Sequence, residues 1–387
     1  MRILMVLDNE FPPDLRVENE LEALTQAGHS VHIACYTREN RLSEETLNGV
    51  VIHRKYIPKL VYKSSVGALR HPMYFNFWRN YLSNLFTNHN FDAIHIHDLP
   101  LAKVGKELAK RYHLKFVLDL HENWPGLLEV SEHTKSLLGR FLSKQKQWKK
   151  YELKYCSEAD NIIVVVDEAK KRLEDKGING NKIKVVSNTL NLNHFKLPDE
   201  KPDQNFITAL YAGGINQHRG LQYVIQGIKY LKGLSKPFRL WILGKGIYQE
   251  KLIEIAKSEG VSDRVVFFGW KPYEEMQKYF GKSDICLIPH LKNAHTDSTI
   301  PHKLFQYIYA KKPVIASNCS PIERIIKETK SGFSYKHDDP SDFSKKVQLL
   351  IDELNNPNLI DLNYAKQLVN KKYNWKVDSK TLVSIYK

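Results

Sequence analysis

Two glycines, Gly213 and Gly214, follow a run of strand-type residues in the segment AGGINQHRGL, and Arg219 closes the same turn. Glycine lets a backbone come close to a phosphate, and arginine can fork onto its oxygens. A second segment, STIPHKLFQYI (298–308), offers related chemistry. Leu304, Phe305 and Ile308 fall on one stripe of a helix. Ser298 or Thr299 can cap its start, Pro301 suits its first turn, and Pro313 marks its stop. His302 and Lys303 then occupy the first turn. A lysine there opposes the partial positive charge of the helix N-terminus, and a bound anion removes the conflict. The plain alternative is a solvated lysine on an ordinary crossover helix. Gly244-Lys245-Gly246 ends another strand-like run and reads equally as a nucleotide border or a tight turn.

The first half carries its own polar constellations. DLHENWPG (119–126) puts His121 and Glu122 at a strand end, where a lone histidine reads as a hydrogen-bonded structural imidazole. The segment lacks the second histidine of a zinc-protease motif, and Pro125 breaks a helix. His95 and His97 share one strand face and precede Asp98; all three are of metal-ligand type at first sight, and a structural or cleft role is the reading preferred to a metal. Asp338–Asp339, before Pro340, reads as a helix start. In NEFPPDLRVENE, Asp14 reads as a helix cap and Arg16 as a solvated side chain.

The elements that must position these residues alternate. Strands are expected at Arg2–Leu7, Val31–Tyr36, Val50–Arg54, Phe91–His97, Lys115–Leu120, Ile162–Val166 and Lys184–Ser187, with helices over 14–27, 101–110 and 167–176. The polar run NLNHFKLPDEKPDQN (191–205) reads as a linker. The alternation then restarts, with strands at Phe206–Ala212, Arg239–Leu243, Val265–Phe268, Asp284–Ile288 and Val314–Ser317, a helix beginning near Arg219, and a helical tail from about Asn363. Such alternation builds parallel, doubly wound α/β sheets. The 387 residues exceed one ordinary core, so two domains are expected, over 1–190 and 205–371.

Composition narrows the class. With 42% hydrophobic and 26% charged residues the chain reads as soluble and globular. The four cysteines, Cys35, Cys156, Cys286 and Cys319, form no Cys-x-x-Cys pair, which points to free thiols in a reducing compartment. No run reaches membrane-spanning length, and the first ten residues are too short for a signal-peptide core, so a cytoplasmic location is expected. The 58 Lys and Arg against 43 Asp and Glu give a formal charge of +15, which calls for an anionic partner. The stretch 135–155, with Lys135, Arg140, Lys144, Lys146, Lys149, Lys150 and Lys154 among Leu137, Phe141, Trp148 and Tyr151, reads either as a helix lying on an anionic membrane or as a surface helix packed on its own domain. A basic-aromatic stretch at 62–82 adds to the membrane reading. Nucleic acid is not expected: no helix-turn-helix, zinc or RNA-sheet signature is visible.

The run P-x-K-L-F-x-Y-x-x-A-x-K-P-V-I-A-S (301–317) resembles the nucleotide-sugar segment of the family-4 (group 1) glycosyltransferases, of the GT-B fold. The resemblance spans nearly the whole chain and is strongest over 206–324. It implies two facing Rossmann-like doubly wound domains, with a final helix at about 372–387 crossing back to the first. It implies a retaining, metal-independent transfer of a hexosyl group from a nucleotide sugar, a UDP-sugar in preference to a GDP-sugar, to a saccharide or lipid-linked saccharide in cell-surface polysaccharide or lipopolysaccharide synthesis. No cofactor is implied, and a peripheral place on the inner face of the membrane is consistent with such acceptors. By family position Arg219 and Lys303 stabilise the leaving diphosphate, and Gly213, Gly214, Gly244, Lys245, Ser298, His302 and Gln306 border the donor. His121 meets the donor's sugar hydroxyls when the halves close, Glu122 is a polar contact or a base, and Arg16 meets an acceptor phosphate. Pro272–Tyr273 falls at the base loop. The family's two glutamates are absent here, with Ser298 and Gln306 in their places; this departure motivates two alternatives, a non-catalytic GT-B partner subunit and a GT-B nucleotide-sugar epimerase.

Overall fold

The computed structural model of the chain describes residues 1–130, 144–197 and 199–387. It divides into two compact units, Met1–Asn188 together with Asp378–Lys387, and Thr189–Val377.

The first unit is built on an eight-stranded sheet: β1 (Arg2–Leu7), β2 (Ser30–Thr37), β3 (Glu44–Leu47), β4 (Val50–Tyr56), β5 (Ala93–His97), β6 (Lys115–Leu120), β7 (Asn161–Val164) and β8 (Ile183–Val185). Their order is β3-β4-β2-β1-β5-β6-β7-β8, and every pairing is parallel except β3–β4. The central strands are covered on both faces; Ile3, Leu4, Met5 and Val6 are fully buried, which is why they read as an unbroken apolar run. Strand β3 was not expected. Its residues EETL are polar and mostly exposed, and Asn48–Gly49, both at positive φ, turn the chain tightly back into β4. Helix Leu15–Gln26 begins at Asp14, whose carboxylate accepts from the amides of Arg16 and Val17 as expected of a cap.

The second unit has six strands, all parallel: β9 (Ile207–Ala212), β10 (Phe238–Leu243), β11 (Val265–Gly269), β12 (Ile285–Ile288), β13 (Val314–Ser317) and β14 (Gly332–Tyr335). The order β11-β10-β9-β12-β13-β14 reverses between β9 and β12. In a doubly wound sheet this reversal opens a crevice at the carboxyl ends of the two strands. Strand β14 was also missed: its GFSY sequence is short, only partly buried and carries no apolar run. The helical tail is two helices, Leu362–Lys371 and Trp375–Ser384, because the Asn374 amide bonds the carbonyls of Val369 and Asn370 and ends the first.

The helices in the described parts of the two basic-aromatic stretches turn their aromatic residues inward. Residues 131–143 of the first lie outside the described residues. From Gln145 to Glu158 it is a helix that buries Trp148, Tyr151, Tyr155 and Cys156 and exposes Lys146, Lys149, Lys150 and Lys154. Tyr151 Oη donates to the carbonyl of Pro100, so this side of the helix packs on its own unit. Helix Met73–Asn88 likewise buries Tyr74, Phe75, Trp78 and Tyr81. Among the described residues no helix is long and apolar enough to cross a membrane. All four cysteines are buried and unpaired, and burial pushes the Cys35 and Cys286 thiols up to about 12.

Candidate functional site

The crevice end of the second sheet is knitted from three loops by backbone contact. A Cβ on Gly244 would lie 1.8 Å from the carbonyl oxygen of Gly213, and one on Gly220 would lie 1.9 Å from that of Pro289. Both glycines also hold positive φ, 132° and 73°. Only glycine permits both the close approach and the conformation. The amide of Leu291 donates to the carbonyl of His218 at 3.0 Å, closing the loop after β12 onto the turn after β9.

Two cations converge there. Lys303 Nζ donates to the carbonyl of Ala212, the last residue of β9, and stands 5.7 Å from the centre of the Tyr211 ring. Arg219 Nη1 lies 3.0 Å from Nε2 of His290, on the loop after β12. Burial, and then the neighbouring Arg219, push Lys303 down to about 7. Burial, then Arg219 and Lys303, hold His290 well below its usual range. Among the described residues no carboxylate pairs with Arg219 or Lys303. The result is a half-buried concentration of positive charge that the protein itself leaves uncompensated, which a polyanion such as a diphosphate would neutralise. Gly213 is part of it: a Cβ there would lie 2.6 Å from Lys303 Nζ. Sequence reasoning missed His290; its position just past a buried strand at the switch point was the available signal.

The other residues expected to border a donor lie on the neighbouring loops and on the helix that carries Lys303. Helix His302–Tyr309 places His302 and Lys303 in its first turn, but its cap is Pro301, with no side-chain cap. Ser298 does not cap it as expected; its hydroxyl donates to the carbonyl of Ala294 at 2.9 Å from a one-turn helix, Thr296–Ser298. Gln306 is buried and its Nε2 donates to Tyr273 Oη at 3.0 Å, so the residue standing where an acid was expected is joined to the expected base loop. Its Oε1 has no protein partner among the described residues. Gly214 and Lys245 are exposed on the loops after β9 and β10.

The first unit holds a separate buried network at the carboxyl end of β6. Arg16 donates to both oxygens of Asp119 at 3.0 and 3.1 Å, to the Val186 carbonyl at 3.0 Å and to Asn188 Oδ1 at 2.9 Å, and it pairs with Glu20 at 3.0 Å. Arg16 is therefore neither solvated nor turned to an acceptor phosphate; its guanidinium anchors Asp119. His121 Nε2 lies 3.1 Å from Asp119 and 3.1 Å from His97 Nδ1, and its other nitrogen is 3.7 Å from Asp98. Burial opposes a charge on His121, but Asp119 and Asp98 outweigh it and raise it to about 9, so it is an imidazolium at neutral pH. His95 Nδ1 meets Tyr386 Oη at 2.7 Å, tying residues 378–387 to the network. Glu122 is half-buried beside His121. Glu20, His95, His97 and Asp119 are close enough to hold a metal, and Arg16 already pairs with both of the carboxylates.

Comparison with known proteins gives this arrangement a lineage. Residues 16–194 match the family model for Glycosyltransferase Family 4, and residues 194–374 match that for Glycosyl transferases group 1. The chain is 23% identical to an uncharacterized glycosyltransferase of Methanocaldococcus jannaschii, over 100% of this chain and 98% of the relative. It is 30% identical to the amylovoran biosynthesis glycosyltransferase AmsK of Erwinia amylovora, over 32% of this chain and 31% of the relative. Anabaena HepE in complex with UDP-glucose superposes with a TM-score of 0.72 at 12% identity, over 100% and 99% of the two chains. With two consecutive models spanning residues 16–374 and two parallel α/β units of the kind described above, the chain belongs to the group 1 glycosyltransferases of the GT-B fold.

Proposed function

We propose that this chain is a retaining hexosyltransferase that moves a sugar from a nucleoside diphosphate, UDP in preference to GDP, to a hydroxyl of a saccharide or lipid-linked saccharide in cell-surface polysaccharide or lipopolysaccharide synthesis. The observation that carries the reading is the uncompensated pair Arg219 and Lys303 at the β9–β12 switch point. As the bond from the sugar's anomeric carbon to the diphosphate breaks, negative charge grows on the departing oxygens. Fixed cations and backbone dipoles aimed at those oxygens lower the barrier without having to reorganise. In this reading they take the part a divalent ion would otherwise play. Gly213, Gly214, Gly244, Lys245, Ser298, His302 and Gln306 border the donor, Gln306 as a neutral contact to a ribose hydroxyl. His121 is assigned the sugar hydroxyls and Glu122 the acceptor. The UDP-glucose complex of HepE supports the choice of donor, and the amylovoran role of AmsK supports the class of product. The exposed lysines of helix Gln145–Glu158 support a peripheral contact with anionic lipid on the cytoplasmic face.

The test is thermal melting with UDP-, GDP- and ADP-sugars, followed by transfer assays on lipid-linked saccharides. A ligand that binds only the folded chain stabilises it by about 2.7 kcal/mol at a hundred times its Kd. A rise with the UDP series and labelled product on the acceptor are expected. If no nucleotide moves the transition, the reading is wrong; binding without transfer favours a non-catalytic subunit.

A further inference from the structure

At the other edge of the first sheet three imidazoles meet. His32 lies near the start of β2, His53 lies on neighbouring β4, and His89 caps helix Met73–Asn88. The parallel register sets His53 opposite Ala34, so His32 and His53 share one sheet face as diagonal neighbours. Their ring centres are 5.2 Å apart, and that of His89 is 5.0 Å from His32 and 5.1 Å from His53. This is a near-equilateral triangle of rings. His32 Nδ1 is 2.9 Å from His53 Nε2, and one nitrogen of each ring lies within 4.8 Å of the others. His53 Nδ1 is 3.2 Å from the carboxylate of Glu44, which stands opposite it on β3. Phe91 sets its ring edge-on to His32.

We propose that His32, His53 and His89 form a three-histidine site for a divalent zinc ion. Zinc bonds to imidazole nitrogens at about 2.0–2.1 Å in a tetrahedron, which sets ligating nitrogens about 3.3 Å apart. The His32–His53 pair is already close to that, and His89 brings a nitrogen within 4.8 Å of both. Glu44 on the far nitrogen of His53 is the orienting carboxylate that metal-bound histidines recurrently have. His53 is buried while His32 and His89 are half-buried, which leaves the fourth position to water. The ion would clasp the β3–β4 hairpin and β2 to helix Met73–Asn88. It is a different place from the His121 network, which follows the carboxyl end of β6.

The untagged full chain, stripped with chelator, is titrated with Zn²⁺ against a chromogenic competitor, and with Co²⁺ in the visible. One equivalent of zinc, a tetrahedral Co²⁺ spectrum and a higher melting temperature with zinc are expected. His89→Gln abolishes all three while melting like wild type in chelator. Glu44→Gln weakens zinc by about tenfold or more. A chain that takes up no zinc, that prefers another ion, or whose His89→Gln variant binds zinc as before overturns the proposal.

Discussion

The guanidinium of Arg219 donates to Nε2 of His290 at 3.0 Å. Guanidinium has no acceptor, so His290 must accept at that nitrogen and carry its proton on Nδ1. The bond joins the loop after β9 to the loop after β12 across the switch point, and it fixes the arginine beside Lys303 before any ligand arrives. Arg219 Nε has no partner among the described residues.

Lys303→Met should separate binding from stability. The variant loses one of the two uncompensated cations, so affinity for a nucleoside diphosphate falls by about tenfold or more, equivalent to about 1.4 kcal/mol. The ligand-free protein melts no lower than wild type, because the variant keeps the apolar stem and removes a buried charge. Calorimetric titration with UDP beside a thermal melt measures both. A melting temperature that drops with affinity unchanged would make Lys303 structural.

Lys303 also predicts two opposed pH trends. Its folded value of about 7 lies below the unfolded value of about 10.4, so between the two the unfolded chain holds more protons. Ligand-free stability therefore rises with pH across that window. A bound diphosphate favours the charged amine, so binding takes up a proton and affinity falls as pH rises above about 7, by at most about tenfold per unit. Lys303→Met should flatten both profiles; titrations in buffers of different ionisation enthalpy count the proton.

The glycines of the donor loops should divide sharply. Gly244→Ala forces a Cβ to within 1.8 Å of a carbonyl oxygen at a φ of 132°, and should cost about 1–3 kcal/mol or more in denaturant melts. Gly214→Ala meets only Asn216 Nδ2 at 3.5 Å, an ordinary contact, and should stay within about 0.5 kcal/mol.

In the first unit Arg16→Met takes from the buried Asp119 carboxylate the stronger of its two cationic partners, leaving His121 alone beside it. A loss of about 3–5 kcal/mol is expected, read by chemical denaturation. His121 is raised to about 9, so its contribution is complete below the unfolded value of about 6.5 and is lost as pH climbs through 9. His121→Gln should remove that alkaline decline. A variant that keeps the wild-type profile would show that another group titrates there.

The sheets were legible because their central strands are buried on both faces and read as apolar runs; β9, β12 and β13 lie within one residue of expectation. The edge strand β3 was not, since exposed polar residues carry no burial signal, although the Asn48–Gly49 pair beside it was a turn signal in plain view. Lys303 stood out because a lysine in a first helical turn contradicts local propensity, and the structure sets it in that turn with Arg219 nearby. Arg16 was misread because nothing local shows its partners: Asp119 and Val186 are more than a hundred residues away. Ser298 was misread for the opposite reason. It is a good capping residue whose hydroxyl is claimed by Ala294 one turn earlier.

The Tyr386–His95 bond carries a consequence for biosynthesis. Residues 378–387 complete the first unit, yet they are translated only after all of Thr189–Val377. At about 5–20 residues per second, the ribosome takes roughly 10–40 s to cross that interval. For that time the nascent first unit holds His95 without its phenol. The first unit can close its network around His95 only after the second has been made.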